Sequence, residues 1–134
     1  MKHNKTLFLK LDDSTCINVS LICDCYYDEE SGFYVLSIIQ RDKTIEYKLT
    51  DDDYIKLIET LKNNKLIGQK QSQFFHYQDD TKEHLINLKY VYNVDFDEER
   101  VEILDDTHYD MSADDAEEFD VFIAFLKQHK CLVE

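Results

Sequence analysis

Apolar and polar side chains alternate along much of the first half of the chain, with enrichment in β-branched and aromatic residues. This pattern predicts strands over residues 6–11, 16–25, 33–40 and 44–49. Asp28-Glu29-Glu30-Ser31-Gly32 is a turn cluster in which Gly32 tolerates positive φ freely, so 16–27 and 33–40 are expected to pair as a hairpin. Arg41-Asp42-Lys43 makes the next reversal, and the first half reads as an antiparallel meander. At Thr50 the period changes. A hydroxyl cap and the run Asp51-Asp52-Asp53 precede Tyr54, Ile58 and Leu61, with Ile55 and Leu57 widening the stripe, which predicts a helix over about 51–63 ended by Asn63-Asn64. The three carboxylates then have a structural role, complementing the positive end of the helix.

Further strands are expected over 66–77, 84–95 and 100–104, the last two joined across Asp97-Glu98-Glu99. Ser112 opens a second helix over about 113–130, with Phe119, Phe122, Ile123 and Leu126 at helical spacing and Lys127, His129 and Lys130 in its last turn. The fold class that follows is α+β: one domain over 1–134, a largely antiparallel sheet of about six or seven strands, and two packing helices. A chain of 134 residues is long enough for one proper core. With no proline and only two glycines it has no flexible linker, and neither an internal repeat nor a domain boundary is evident. The short, polar beginning does not resemble a signal peptide and no stretch is long and apolar enough to span a membrane, so a cytoplasmic protein is expected. Cys16, Cys23, Cys25 and Cys131 are then expected to be free thiols, with Cys23 and Cys25 on one face of a strand.

Charge changes the picture. Between residues 93 and 120 stand thirteen carboxylates and one base, Arg100, so nearly all of the formal charge of −14 is confined there, whereas Lys and Arg interleave with the acids before it. Such a patch costs self-repulsion, and a basic partner would account for it. Part of it is helix-start chemistry at Asp114, Asp115, Glu117 and Glu118.

The candidate chemistry is sparse. Cys23-Asp24-Cys25 lacks zinc-ligand spacing, and EF-hand registers from Asp95 or Asp110 place Arg100 or Asp115 where glycine is needed, so no metal site is expected. There is no nucleophile elbow or phosphate-cradling loop, His76, His84 and His108 are scattered, and clustered solvated carboxylates do not make an acid/base pair. Neither an enzyme nor a cofactor is expected. Direct nucleic-acid binding is excluded by sign, because phosphate affinity comes from Lys and Arg.

The remaining expectation is an acidic inhibitory binding protein that occludes the nucleic-acid groove of a basic protein, a nuclease or another nucleic-acid-binding protein. The expected interface is Asp95, Asp97, Glu98, Glu99, Glu102, Asp105, Asp106, Tyr109, Asp110, Asp114 and Asp115. Asp95, Asp97 and Glu99 have the two-residue spacing of a charged row on a strand, and Tyr90, Tyr92 and Tyr109 are candidate anchors. An immunity protein against a nuclease toxin is favoured. The alternatives are a phage or mobile-element DNA mimic that blocks restriction or CRISPR nucleases, and an acidic cytosolic adaptor or assembly subunit.

Overall fold

The computed structural model describes residues 6–41, 43–67, 73–79, 82–103 and 117–133, and the backbone of 107–110. The fold is α+β, with a five-stranded antiparallel sheet, two smaller sheets and two helices. After β1 (Phe8–Lys10) and β2 (Cys16–Asn18), which pair with each other, the chain runs through β3 (Ile22–Asp28), β4 (Phe33–Gln40), β5 (Lys43–Leu49) and α1 (Asp51–Asn63). It continues through β6 (Phe74–Gln78), β7 (Glu83–Asn87), β8 (Val91–Asp95), β9 (Arg100–Ile103), β10 (Thr107–Asp110) and α2 (Glu117–Gln128). The large sheet has the order β5-β4-β3-β7-β6, and β8, β9 and β10 form their own meander.

The predicted β3–β4 hairpin and the first helix form as expected. Thr50 caps α1 in a reciprocal capping box, its hydroxyl accepting from the Asp53 N–H at 3.2 Å while the Asp53 carboxylate accepts from the Thr50 N–H at 3.4 Å. Two long predicted strands are broken instead. The stretch 16–25 is interrupted by a 3-10 turn at Val19–Leu21, and the stretch 84–95 by one at Leu88–Tyr90. The cause is the same in both: Asn18 and Asn87 each turn a side-chain oxygen onto the backbone N–H two residues ahead, at 3.0 Å, a local bond that competes with the ladder. The predicted strand over 66–77 is confined to Phe74–Gln78, and residues 68–72 lie outside the described set. Among the described residues there are therefore ten short strands where six or seven longer ones were expected. Of the second helix, Glu117–Gln128 is described, and the residues expected to start it lie outside.

The shared Asn turns belong to a larger correspondence. From β1 to α1 and again from β6 to α2, the order is two strands, a 3-10 turn, three strands and a helix. Each copy carries an irregularity just after its 3-10 turn, between Ile22 and Asp24 in β3 and between Val91 and Asn93 in β8. The hairpin that follows each 3-10 turn closes on a residue with positive φ, Gly32 (75°) and Glu99 (52°). The chain is thus an internal structural repeat, contrary to the expectation from its sequence, although at one constant spacing Ile17-Asn18 recurs as Ile86-Asn87 and Asp28-Glu29-Glu30 as Asp97-Glu98-Glu99, with Tyr27 answered by Phe96.

The copies are interleaved, because β7 of the second pairs with β3 of the first. Two apolar cores result. One packs α1, through Tyr54, Leu57, Ile58 and Leu61, with β1, β2 and the large sheet. The other packs α2, through Phe119, Phe122 and Leu126, with Phe75, Ile86, Val101 and Ile103. The bulge in β3 also corrects the expectation for its cysteines. The extra residue shifts the alternation by one, so Cys25 enters the first core and Cys23 the second.

Candidate functional site: the acidic turns and the buried cluster between them

Arg100 is the pivot of the second acidic turn. In register it pairs with Asp95 on one side and Asp110 on the other, while Glu102 pairs with Asn93 and His108. Asp95 ends β8, and its Oδ1 accepts the N–H groups of Asp97 and Glu98, both at 3.0 Å. This carboxylate therefore shapes the turn. Asp97 and Glu98 are left exposed, while Asp95, Glu99 and Glu102 are half-buried. Residues 96–99 form the turn itself, so Asp97 and Glu99 do not extend the strand row expected from Asp95. Glu98 lies 3.6 Å from Arg100, whose side chain is mostly covered, and Glu102 accepts from the Asn93 amide at 3.3 Å.

The first turn repeats this arrangement. Asp28 ends β3 and accepts from the Glu30 N–H at 3.2 Å and the Ser31 hydroxyl at 2.9 Å, leaving Glu29 and Glu30 exposed. Aromatic side chains flank both turns: Tyr27 and Phe33 beside the first, Phe96 in the second, all among the exposed large apolar residues. A run of contacts, passing through β7 at the neighbouring residues Glu83 and His84, joins them. Tyr34 on β4 stacks on Tyr54 in the first turn of α1 at 3.8 Å, and its hydroxyl donates to Glu83 at 3.3 Å. His84, the next residue, meets Glu118 in the first turn of α2 at 3.2 Å. Phe119 then meets Phe96 edge-to-face at 5.8 Å. The two hairpin turns and the starts of both helices are thus linked through β7, from one face of the sheet to the other. Exposed Asp51, Asp52, Glu117 and Asp120 add to the negative charge of these elements.

Along this run, β7 carries a His–carboxylate pair on each face. On the α1 side, Glu83 lies 3.0 Å from His76 Nε2. Burial first, and then the charge of Glu83, push the Tyr34 hydroxyl up to about 12 and raise Tyr54 further. On the α2 side, His84 is fully buried between Glu118, which is also fully buried, and Asp24, 4% exposed and 3.6 Å from Nε2. Lys82 closes the cluster, its Nζ 3.0 Å from the other Glu118 oxygen. Burial alone would lower the His84 pKa; the facing bonds and charges of Asp24 and Glu118 outweigh it, and the net shift is upward.

Among the expected interface residues, Asp95, Asp97, Glu98, Glu99 and Glu102 come together on one hairpin. Tyr109 and Asp110 lie on β10, paired with Val101 and Arg100. Asp105, Asp106, Asp114 and Asp115 lie outside the described residues. Tyr90 is no exposed anchor, since it is buried with its hydroxyl donating to the Ser20 carbonyl at 3.1 Å, whereas Tyr92 is exposed. Sequence reasoning missed Phe96, the acids of the first turn and the buried cluster. A signal for the cluster existed: Asp24 interrupts the apolar run Ile22–Cys25, and Glu118 stands four residues before Phe122 on the buried stripe of α2. Among the described residues no group of three or more His, Cys, Asp and Glu side chains is arranged to hold a metal ion, and no helix is long and apolar enough to cross a membrane. The chain matches no family model, no curated protein and no solved structure.

Proposed function

We propose that this chain is an acidic inhibitory binding protein, acting in the cytoplasm, that neutralises a basic nuclease or other nucleic-acid-binding protein by filling its nucleic-acid groove. The observation that carries the reading is the joining of two acidic, aromatic-flanked hairpin turns and two helix starts through Tyr34–Tyr54, Glu83, His84–Glu118 and Phe119–Phe96. Of the bases nearby, Lys82 faces Glu118, Arg100 lies 3.6 Å from Glu98 and Lys48 sits over the Phe33 ring, so exposed Glu29, Glu30 and Asp97 are the turn carboxylates that remain to meet a partner. Long-range attraction from such a surface speeds encounter, and the aromatic side chains supply the apolar anchors that charge alone lacks.

An immunity protein fits this surface better than a DNA mimic. A mimic needs carboxylates at regular intervals, and here the strand row stops at Asp95, with Asp97, Glu98 and Glu99 on the turn after it. The reading is tested by recovering the tagged protein from its own cells beside the variant Glu29→Lys, Glu30→Lys, Asp97→Lys, Glu98→Lys. The wild type should retain a basic nuclease and inhibit it, and the variant, folded by circular dichroism, should not. A folded variant that retains the same partner in full overturns the reading.

A further inference from the structure

The cluster around His84 brings four groups with ionisable side chains together from separate parts of the chain: Asp24 from β3, Lys82 from the segment before β7, His84 from β7 and Glu118 from α2. Three of them are buried, and Lys82 is largely covered. With His84 protonated, two cations face two carboxylates and the cluster is neutral. When the proton leaves, two carboxylates face Lys82 alone, and a net negative charge stands where water cannot solvate it. An uncompensated buried charge is among the costliest local defects a fold can carry. Of the four elements, α2 is the one that can withdraw its contribution most simply. Glu118 lies in its first described turn, whereas Asp24 and His84 are fixed in neighbouring strands of the sheet. The next residue, Phe119, holds Phe96 in the second acidic turn.

We propose that the Asp24–His84–Glu118 cluster is a pH-gated latch that fastens the start of α2, and through Phe119 the Phe96 turn, to the five-stranded sheet. The latch does not depend on what the acidic turns bind. Other groups around His84 do not supply a second proton switch in the same range. Tyr26 on β3 and Tyr77 on β6 stand opposite it in register; Tyr26 is shifted upward by burial and neighbouring acids, and the Tyr77 hydroxyl donates to Asp79 at 2.9 Å. Glu83 faces the other side of β7, toward His76 and Tyr34. Because the folded-state value of His84 lies above its unfolded value of about 6.5, the stabilisation is complete below about pH 6.5 and is lost as pH rises through the folded value.

The test combines an NMR titration of the His84 imidazole with amide hydrogen exchange along α2, corrected for the intrinsic pH dependence of exchange. In the wild type, protection at the start of α2 should fall about tenfold for each pH unit between about 6.5 and the His84 midpoint and level off above it, and that midpoint should lie above about 6.5. His84→Gln should remove the pH step and leave α2 weakly protected throughout. Should that variant fail to fold, Lys82→Met decides: removing the ammonium that competes for Glu118 should move the midpoint and the protection step upward together. A midpoint below about 6.5, α2 protection unchanged across the His84 titration, or a step that persists in His84→Gln overturns the proposal, as does a Lys82→Met step that fails to follow the His84 midpoint.

Discussion

Asn18 and Asn87 hold equivalent places in the two halves of the fold: each ends a strand, and each side chain accepts the N–H of the residue two ahead at 3.0 Å. Their surroundings differ. Asn18 is half-buried and shares its oxygen with the Ser20 hydroxyl at 2.7 Å. Asn87 is fully buried, donates to the Ile22 carbonyl at 2.8 Å across the seam between the copies, and accepts from Gln73 at 3.2 Å. Asn18→Ala should therefore cost about 1 kcal/mol, as loss of a local cap does, and Asn87→Ala about 2–3 kcal/mol, because it leaves buried groups unpaired. Urea unfolding of the two variants measures the difference, and equal losses would contradict the asymmetry.

The two acidic turns end on different residues in the same backbone region. Gly32 has φ 75° with open space where a Cβ would stand, and Glu99 has φ 52°. A side chain in the left-handed region costs about 1–2 kcal/mol relative to glycine. Gly32→Ala is expected to destabilise by about that amount, and Glu99→Gly to stabilise by up to about 1 kcal/mol, the gain reduced by the freedom glycine adds to the unfolded chain. Thermal melts of both variants check the opposite signs.

The four thiols should separate into two classes. Cys16 and Cys131 are exposed, while Cys23 and Cys25 are buried in different cores. Burial first, then the charges of Asp24 and Glu83, hold the Cys25 thiol well above the ordinary range, so its reactive thiolate is scarce. Alkylation followed by mass spectrometry should label Cys16 and Cys131 rapidly in the native protein, and Cys23 and Cys25 only on unfolding. Rapid native labelling of Cys25 would contradict the packing.

Much of the fold was legible because its signals are local. The Thr50 cap, the stripe Tyr54–Leu61, Gly32 and the alternation along β4 each act within a few residues of themselves. The strand breaks at Asn18 and Asn87 were missed because asparagine competes with the ladder through one hydrogen bond that hydrophobic period does not register. The repeat was hidden because its matching residues, Ile17-Asn18 with Ile86-Asn87 and Asp28-Glu29-Glu30 with Asp97-Glu98-Glu99, are few and separated by dissimilar strand residues. For the site, residue counts exposed the charge of the second turn, and only tertiary contact joins the first turn to it through Tyr34, Glu83 and His84. Glu118 was read partly as helix-start chemistry, yet it is a core residue, because its partner His84 is far away in sequence.

The central claim is that the two acidic turns form one binding surface for a basic partner. It is tested most directly by the partner's affinity at rising NaCl for the wild type, Glu29→Lys/Glu30→Lys and Asp97→Lys/Glu98→Lys. Screening shortens from about 10 Å at 0.1 M salt to about 3 Å at 1 M, so wild-type affinity should fall steeply. Each reversal should weaken binding by at least about tenfold at low salt, mainly through slower association, and flatten the salt dependence. Affinity indifferent to salt, with both folded reversal variants binding like the wild type, would contradict the account.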